Sequence, residues 1–90
     1  MNHKMHAIFK GKVQGVGFRY TTCLLAKTLN LTGTVSNLSD GSVEVFAYGP
    51  KDSLEKLVKK LQEKAFSEYI QAVSVDFFIT ESPLTDFQII

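Results

Sequence analysis

From Ser53 to Ala65 the apolar residues Leu54, Leu57, Val58, Leu61 and Ala65 recur at intervals of three and four, while Lys56, Lys59, Lys60, Glu63 and Lys64 fill the remaining face. That spacing predicts a helix with one apolar stripe and one solvated side. Asp52 followed by Glu55 predicts a capping box at its start, and Pro50 predicts a boundary just upstream. A second helix is predicted from Phe18 to Asn30, with Phe18, Thr22, Leu25 and Leu29 on one face and Cys23, Leu24 and Ala26 broadening it. Gly33 reads as the stop signal behind it.

The rest of the pattern is shorter in period. Gly11, Gly15, Gly17, Gly33, Gly41, Gly49, Pro50 and Pro83 punctuate the chain. Between them, β-prone runs predict strands at His6–Val13, Thr34–Leu38, Ser42–Tyr48 and Val73–Ile79, with a short last strand at Phe87–Ile90. Val73, Val75, Phe77 and Ile79 alternate onto one face of the fourth. Asp40-Gly41 between two such runs predicts a two-residue hairpin turn with positive φ at both positions. The order β-α-β-β-α-β with a small terminal strand is the split βαβ arrangement. It makes the expected class α+β, a ferredoxin-like sandwich with two helices on one face of an antiparallel sheet. That fold hosts many unrelated functions, so order alone names none.

Composition narrows the classes. With 90 residues, one domain spanning 1–90 is expected. Hydrophobic residues at 44% and charged residues at 21% exclude intrinsic disorder. Ten Lys+Arg against nine Asp+Glu leave a net charge of +1, too balanced for a general nucleic-acid or membrane-surface binder. The single Cys23 excludes an internal disulfide and a cysteine-built zinc site. It reads as a small buried hydrophobe rather than a nucleophile. No apolar run reaches the roughly 20 residues of a membrane span, and Met1 to Lys10 has no signal-peptide core, so a cytoplasmic location is expected. Without a secretory signal, the glycosylation sequons at Asn30 and Asn37 read as accidental. His3 and His6 have no metal-ligand spacing, and the Lys-rich helix face reads as solvated surface.

The candidate chemistry lies between the first strand and the first helix, in Gln14-Gly15-Val16-Gly17-Phe18-Arg19. Two glycines permit a tight turn and close approach to a ligand. The helix that follows presents free backbone N–H groups, and Arg19 adds a fork suited to phosphate. On these residues alone a plain strand-to-helix turn with a surface Arg is the commoner reading. A dinucleotide fingerprint fails because Tyr20 stands where a glycine is needed. A P-loop fails at His6 and Val13, and an RNA-recognition signature would lie on a central strand rather than in a loop. Asn37 is unusual in a strand. Local hydrogen bonding beside the hairpin explains it, and so does a carboxamide aimed at a ligand or water.

Taken together, Gly11, Val13 to Val16, Phe18-Arg19, Gly33, Val35, Asn37, Asp40-Gly41 and Val43-Glu44-Val45 resemble the acylphosphatase family over essentially the whole chain. The resemblance implies a single acylphosphatase-like domain that hydrolyses the carboxyl–phosphate bond of small acyl phosphates without a metal or other cofactor. It implies that the backbone of Gln14, Gly15, Val16, Gly17 and Phe18, with the Arg19 side chain, binds phosphate, and that Asn37 positions the attacking water. The chain departs from the pattern at Thr34, where an aromatic residue is frequent, and in ending Phe87-Gln88-Ile89-Ile90 without polar or charged final residues. Gly17 is an accepted variant within the loop. No His, Asp or Glu stands at an obvious general-base position, since Asp40 fits turn chemistry and Glu44 an exposed strand face. A monomer acting on a small molecule, with no nucleic-acid or membrane partner, is the expected form. A non-catalytic phosphate- or carboxylate-binding module on the same fold is the competing reading.

Overall fold

The computed structural model describes residues 2–81 and 84–90; Met1 and Pro83, the latter read as punctuation, lie outside them. The chain forms β1 (His3–Gly11), α1 (Phe18–Thr28), β2 (Thr32–Asn37), β3 (Val43–Gly49), α2 (Lys51–Lys60), β4 (Ile70–Ile79) and β5 (Phe87–Ile89). The five strands make one sheet in the order β4-β1-β3-β2-β5. All neighbours are antiparallel except β2 and β5, which run parallel with Gly33 opposite Phe87 and Val35 opposite Ile89. The expected α+β sandwich is present, and its predicted last strand closes the edge beside β2.

Alternation decides which face of the sheet is covered. Met5, Ala7 and Phe9 of β1, Val43, Val45 and Ala47 of β3, and Val35 of β2 are buried against the helices. The other face carries Lys4, His6, Glu44 and Phe46. There the His6 Nε2 lies 2.8 Å from Glu44 Oε2, and the His6 ring stacks on Phe46 at 4.5 Å. Glu44 is therefore a cross-strand partner on the open face. In β4, Val73, Val75 and Phe77 pack against the core, but Ile79, the last residue of the strand, is 70% exposed.

Several local expectations meet different physics. α2 begins at Lys51 with Pro50 as N-cap and no side-chain cap, so the Asp52–Glu55 capping box is not formed. Asp52 instead accepts the Ser53 N–H at 3.0 Å. Beyond Lys60 the helix loosens into one π-type turn, Leu61–Ala65, closed by Phe66 N–H donating to the Leu61 carbonyl at 2.9 Å. A π turn inserts one residue and shifts the phase of the stripe. Ala65, predicted on the apolar face, is consequently exposed, and Phe66 is buried in its place. In α1, Phe18, Thr22 and Ala26 are buried, Leu25 is half-buried and Leu24 points outward.

α1 does not stop at Gly33. Asn30 takes the left-handed conformation at φ 57°. Leu31 N–H then donates to Ala26 O at 2.9 Å and Asn30 N–H to Lys27 O at 3.1 Å. This is a Schellman ending with Asn in the usual glycine position. Gly33 serves β2, where a Cβ would collide with the Phe46 carbonyl oxygen. The hairpin also differs. Only Gly41 has positive φ, at 94°, so the two-residue turn is replaced by a three-residue loop. Leu38 N–H donates to Ser42 O at 2.8 Å across it, and Gly41 N–H to Leu38 O at 3.2 Å inside it.

Candidate active site

β1 bulges at Lys10/Gly11 and releases the chain into the loop that precedes α1. Gly15 and Gly17 both adopt left-handed backbone, at φ 79° and 83°, and open space surrounds the position a Cβ would take at each. Glycine is required there by conformation alone, not by crowding. Two left-handed glycines separated by one residue suit a loop whose successive N–H groups turn towards an anion.

The start of α1 adds to that loop. Gly17 is its N-cap and supplies no side-chain acceptor. Its carbonyl accepts the first helical bond, from Thr21 N–H at 3.0 Å. The N–H groups of the first turn thus have no capping side chain, and the positive end of the helix dipole lies at the loop. Phe18 fixes this end of the helix. It is fully buried, with its ring 5.0 Å from Phe9 and 4.8 Å from Phe66, and its carbonyl accepts the Thr22 hydroxyl at 2.7 Å.

Arg19 and Asn37 meet at one pocket of about 190 Å³. Arg19 stands on the exposed side of the first turn of α1, and Asn37 is the exposed last residue of β2. The same pocket is lined by Gly15, Gly17 and Phe18. Five positions singled out in the sequence therefore come together, although Asn37 and the loop belong to different elements. Among the described residues, Arg19 is the only charged one lining the pocket. Among the described residues, no group of three or more His, Cys, Asp or Glu could hold a metal ion.

Gln14 and Val16 do not line the pocket. The Gln14 carboxamide turns away and donates to Leu38 O at 2.8 Å and to Ser42 O at 2.9 Å. It clamps the loop to the hairpin directly after Asn37. The hairpin is braced in turn by Asp40, whose Oδ1 accepts the Ser42 hydroxyl at 2.5 Å and the Ser42 N–H at 2.9 Å. Those two bonds, the hydroxyl first, hold the Asp40 carboxyl below its usual range. Val13, Tyr20 and Ile89 are lining residues that sequence reasoning missed. Tyr20 carried a signal, as an aromatic residue beside Arg19 on a predicted helix start. Ile89 carried none, because β5 reaches the site only through its parallel pairing with β2, where Ile90 N–H donates to Val35 O at 2.9 Å. Cys23 is half-buried, and its thiol donates to Phe87 O at 3.4 Å, beside the same strand.

A glycine-bearing loop opening a helix, one arginine and one asparagine thus line a single pocket on a two-layer α+β scaffold. The acylphosphatase family model matches residues 5–89, and the chain belongs to that family. It is 52% identical over 60 residues to the acylphosphatase of Treponema denticola, an alignment covering 67% of this chain and 64% of that protein. It is 40% identical over 83 residues to the acylphosphatase of Vibrio parahaemolyticus, covering 92% of this chain and 91% of the relative. The crystal structure of acylphosphatase from Bacillus subtilis superposes with a TM-score of 0.90 at 32% identity, over 98% of each chain. No helix among the described residues is long and apolar enough to cross a membrane.

Proposed function

We propose that this enzyme hydrolyses the carboxyl–phosphate bond of acyl phosphates, giving a carboxylate and inorganic phosphate by in-line attack of water. The observation that carries the proposal is that Gly15, Gly17, Arg19 and Asn37 line the same pocket. The phosphoryl group is seated in the loop amides, with Arg19 on its oxygens through two parallel N–H bonds. Charge that develops on the equatorial oxygens is met by donors already oriented before reaction. Asn37, across the pocket, holds a water in line with the departing carboxylate, a proximity contribution.

The chemistry asks little more. An acyl phosphate is already activated, so the barrier left to the protein is small compared with that of a phosphate ester. The leaving group departs as a carboxylate, whose acid form has a pKa near ~4, so no general acid is needed. The proton of the attacking water passes to a phosphate oxygen of the substrate, consistent with a pocket whose only charged lining residue, among the described ones, is a cation.

The test is hydrolysis of benzoyl phosphate in excess chelator by wild type, Arg19→Ala and Asn37→Ala. Arg19→Ala is expected to lose both phosphate affinity and turnover, by about 10²–10³ or more in kcat. Asn37→Ala is expected to lose turnover while inorganic phosphate still binds. Full activity in Asn37→Ala removes the role assigned to that residue. Phosphate binding by wild type with no turnover of any acyl phosphate would point to a non-catalytic binding module.

A further inference from the structure

Beside Gly15, Gly17, Arg19 and Asn37, the pocket is lined by Val13, Phe18, Tyr20 and Ile89. Val13 and Phe18 are buried beneath it, while Tyr20 and Ile89 stand at its walls, 64% and 42% exposed. An exposed tyrosine and an exposed isoleucine have no packing reason to sit there. Tyr20 follows Arg19 in the first turn of α1, and Ile89 reaches the site from β5, so two separate elements place apolar surface at the same opening. The pocket, at about 190 Å³, lies below the ~300–1,000 Å³ of sites that enclose drug-sized ligands. It has room for a phosphoryl group and the carbonyl attached to it, and a larger acyl group must extend onto the walls. Among the described lining residues Arg19 is the only charged one, and in the proposed reaction it is taken up by the phosphoryl group, so a second carboxylate on the acyl chain finds no further cation there.

We propose that Tyr20 and Ile89 form an acyl-binding wall that selects acyl phosphates with aromatic or bulky apolar acyl groups over short ones and over those bearing a second carboxylate. The inference rests on the reading of the site as one for acyl phosphate hydrolysis. An apolar wall favours the substrate that covers it and gains nothing from one that does not reach it. A second carboxylate placed there would be desolvated without a partner.

The experiment compares kcat/KM for benzoyl, acetyl and succinyl phosphate in wild type, Tyr20→Ser, Ile89→Ala and the double variant. Ile89→Val serves as the conservative control, and thermal unfolding confirms that each variant folds. Binding of phenylphosphonate and methylphosphonate, measured by calorimetry, supplies a readout independent of turnover. Wild type is expected to favour benzoyl over acetyl phosphate by about ten-fold or more, and over succinyl phosphate by more still. The double variant should lose most of that ratio, mainly through KM, while Ile89→Val retains it. Phenylphosphonate should bind wild type more tightly than methylphosphonate and lose this advantage in the double variant. An unchanged benzoyl-to-acetyl ratio in a folded double variant overturns the wall, as does its absence in wild type, even if hydrolysis is brisk. Absence of all turnover, with the phosphonate preference intact and dependent on Tyr20 and Ile89, supports the wall and rejects hydrolysis instead.

Discussion

At the scale of single residues, Gln14 separates what a side chain is from what it does. It belongs to the loop motif, and its position suggests a ligand contact, yet both of its donated hydrogen bonds go to hairpin carbonyls. Gln14→Ala should cost about 1–2 kcal/mol for the two lost bonds, with a larger fall in kcat than in phosphate affinity. Gln14→Glu should be worse on both counts, because a carboxylate cannot donate and would face the Leu38 and Ser42 oxygens. Chemical denaturation paired with kcat and phosphate titration checks this, and a Glu variant as stable and active as wild type would refute the clamp. The site residues were legible to unequal degrees. Gly15, Gly17, Arg19 and Asn37 were reached through the family resemblance, since on the residues alone a plain strand-to-helix turn and a local hydrogen bond explain them. Val13 and Ile89 gave no signal as lining residues, since many apolar residues would line the pocket equally well, and Tyr20 gave only its place beside Arg19 at a predicted helix start. The cross-strand pair of His6 with Glu44 was hidden for a different reason, being made by register between strands far apart in sequence.

At the scale of elements, the hydrophobic periods fixed both helices and every strand to within a few residues, and failed where a local bond competes with the period. The π turn at Leu61–Ala65 has no apolar signature, because Ala65 and Phe66 both satisfy an apolar stripe until the phase shifts. Asn30 could end α1 in place of a glycine because its short polar side chain tolerates left-handed backbone. The Asp40-Gly41 loop took a third residue because Asp40 bonds forward to Ser42. That loop titrates. Asp40 has its folded pKa depressed below the ordinary value of 3.8, chiefly by the Ser42 hydroxyl and then by the Ser42 N–H. A depressed carboxyl contributes stability that is present above the unfolded pKa and lost as pH falls through the folded one. Wild type is therefore expected to lose stability on going from about pH 5 to about pH 3 through this group, and Asp40→Asn should show a shallower decline. Denaturation curves at the two pH values measure it; identical slopes in wild type and variant would count against the bond.

At the scale of the whole molecule, the net charge of +1 leaves no broad field to gather anions, so under the proposed function capture would depend on the loop and Arg19. With screening already acting over about 10 Å at 0.1 M salt, kcat/KM should change by less than about three-fold between low and moderate sodium chloride. Sulfate, which can occupy the loop, should inhibit far more than chloride at equal ionic strength. A steep dependence on chloride would reveal steering by distant lysines. Phe18 links this site to the core, through rings on β1 and at the end of the second helix. Phe18→Ala should destabilise the fold by about 3–5 kcal/mol and lower Tm accordingly, a larger loss than any substitution on the pocket rim.

The Gln14 clamp also bears on how the enzyme responds to warming. The loop proposed to hold the phosphoryl group and the hairpin that follows Asn37 are tied by two short bonds through Gln14, so they are expected to move together. Their separation should then stay constant as amplitudes grow, and the rate should climb along a straight Arrhenius line until the entire domain melts. Freed of the clamp in Gln14→Ala, loop and strand would drift apart at intermediate temperatures. The plot would bend downward well before the unfolding transition, a curvature that initial rates taken across a temperature series would expose.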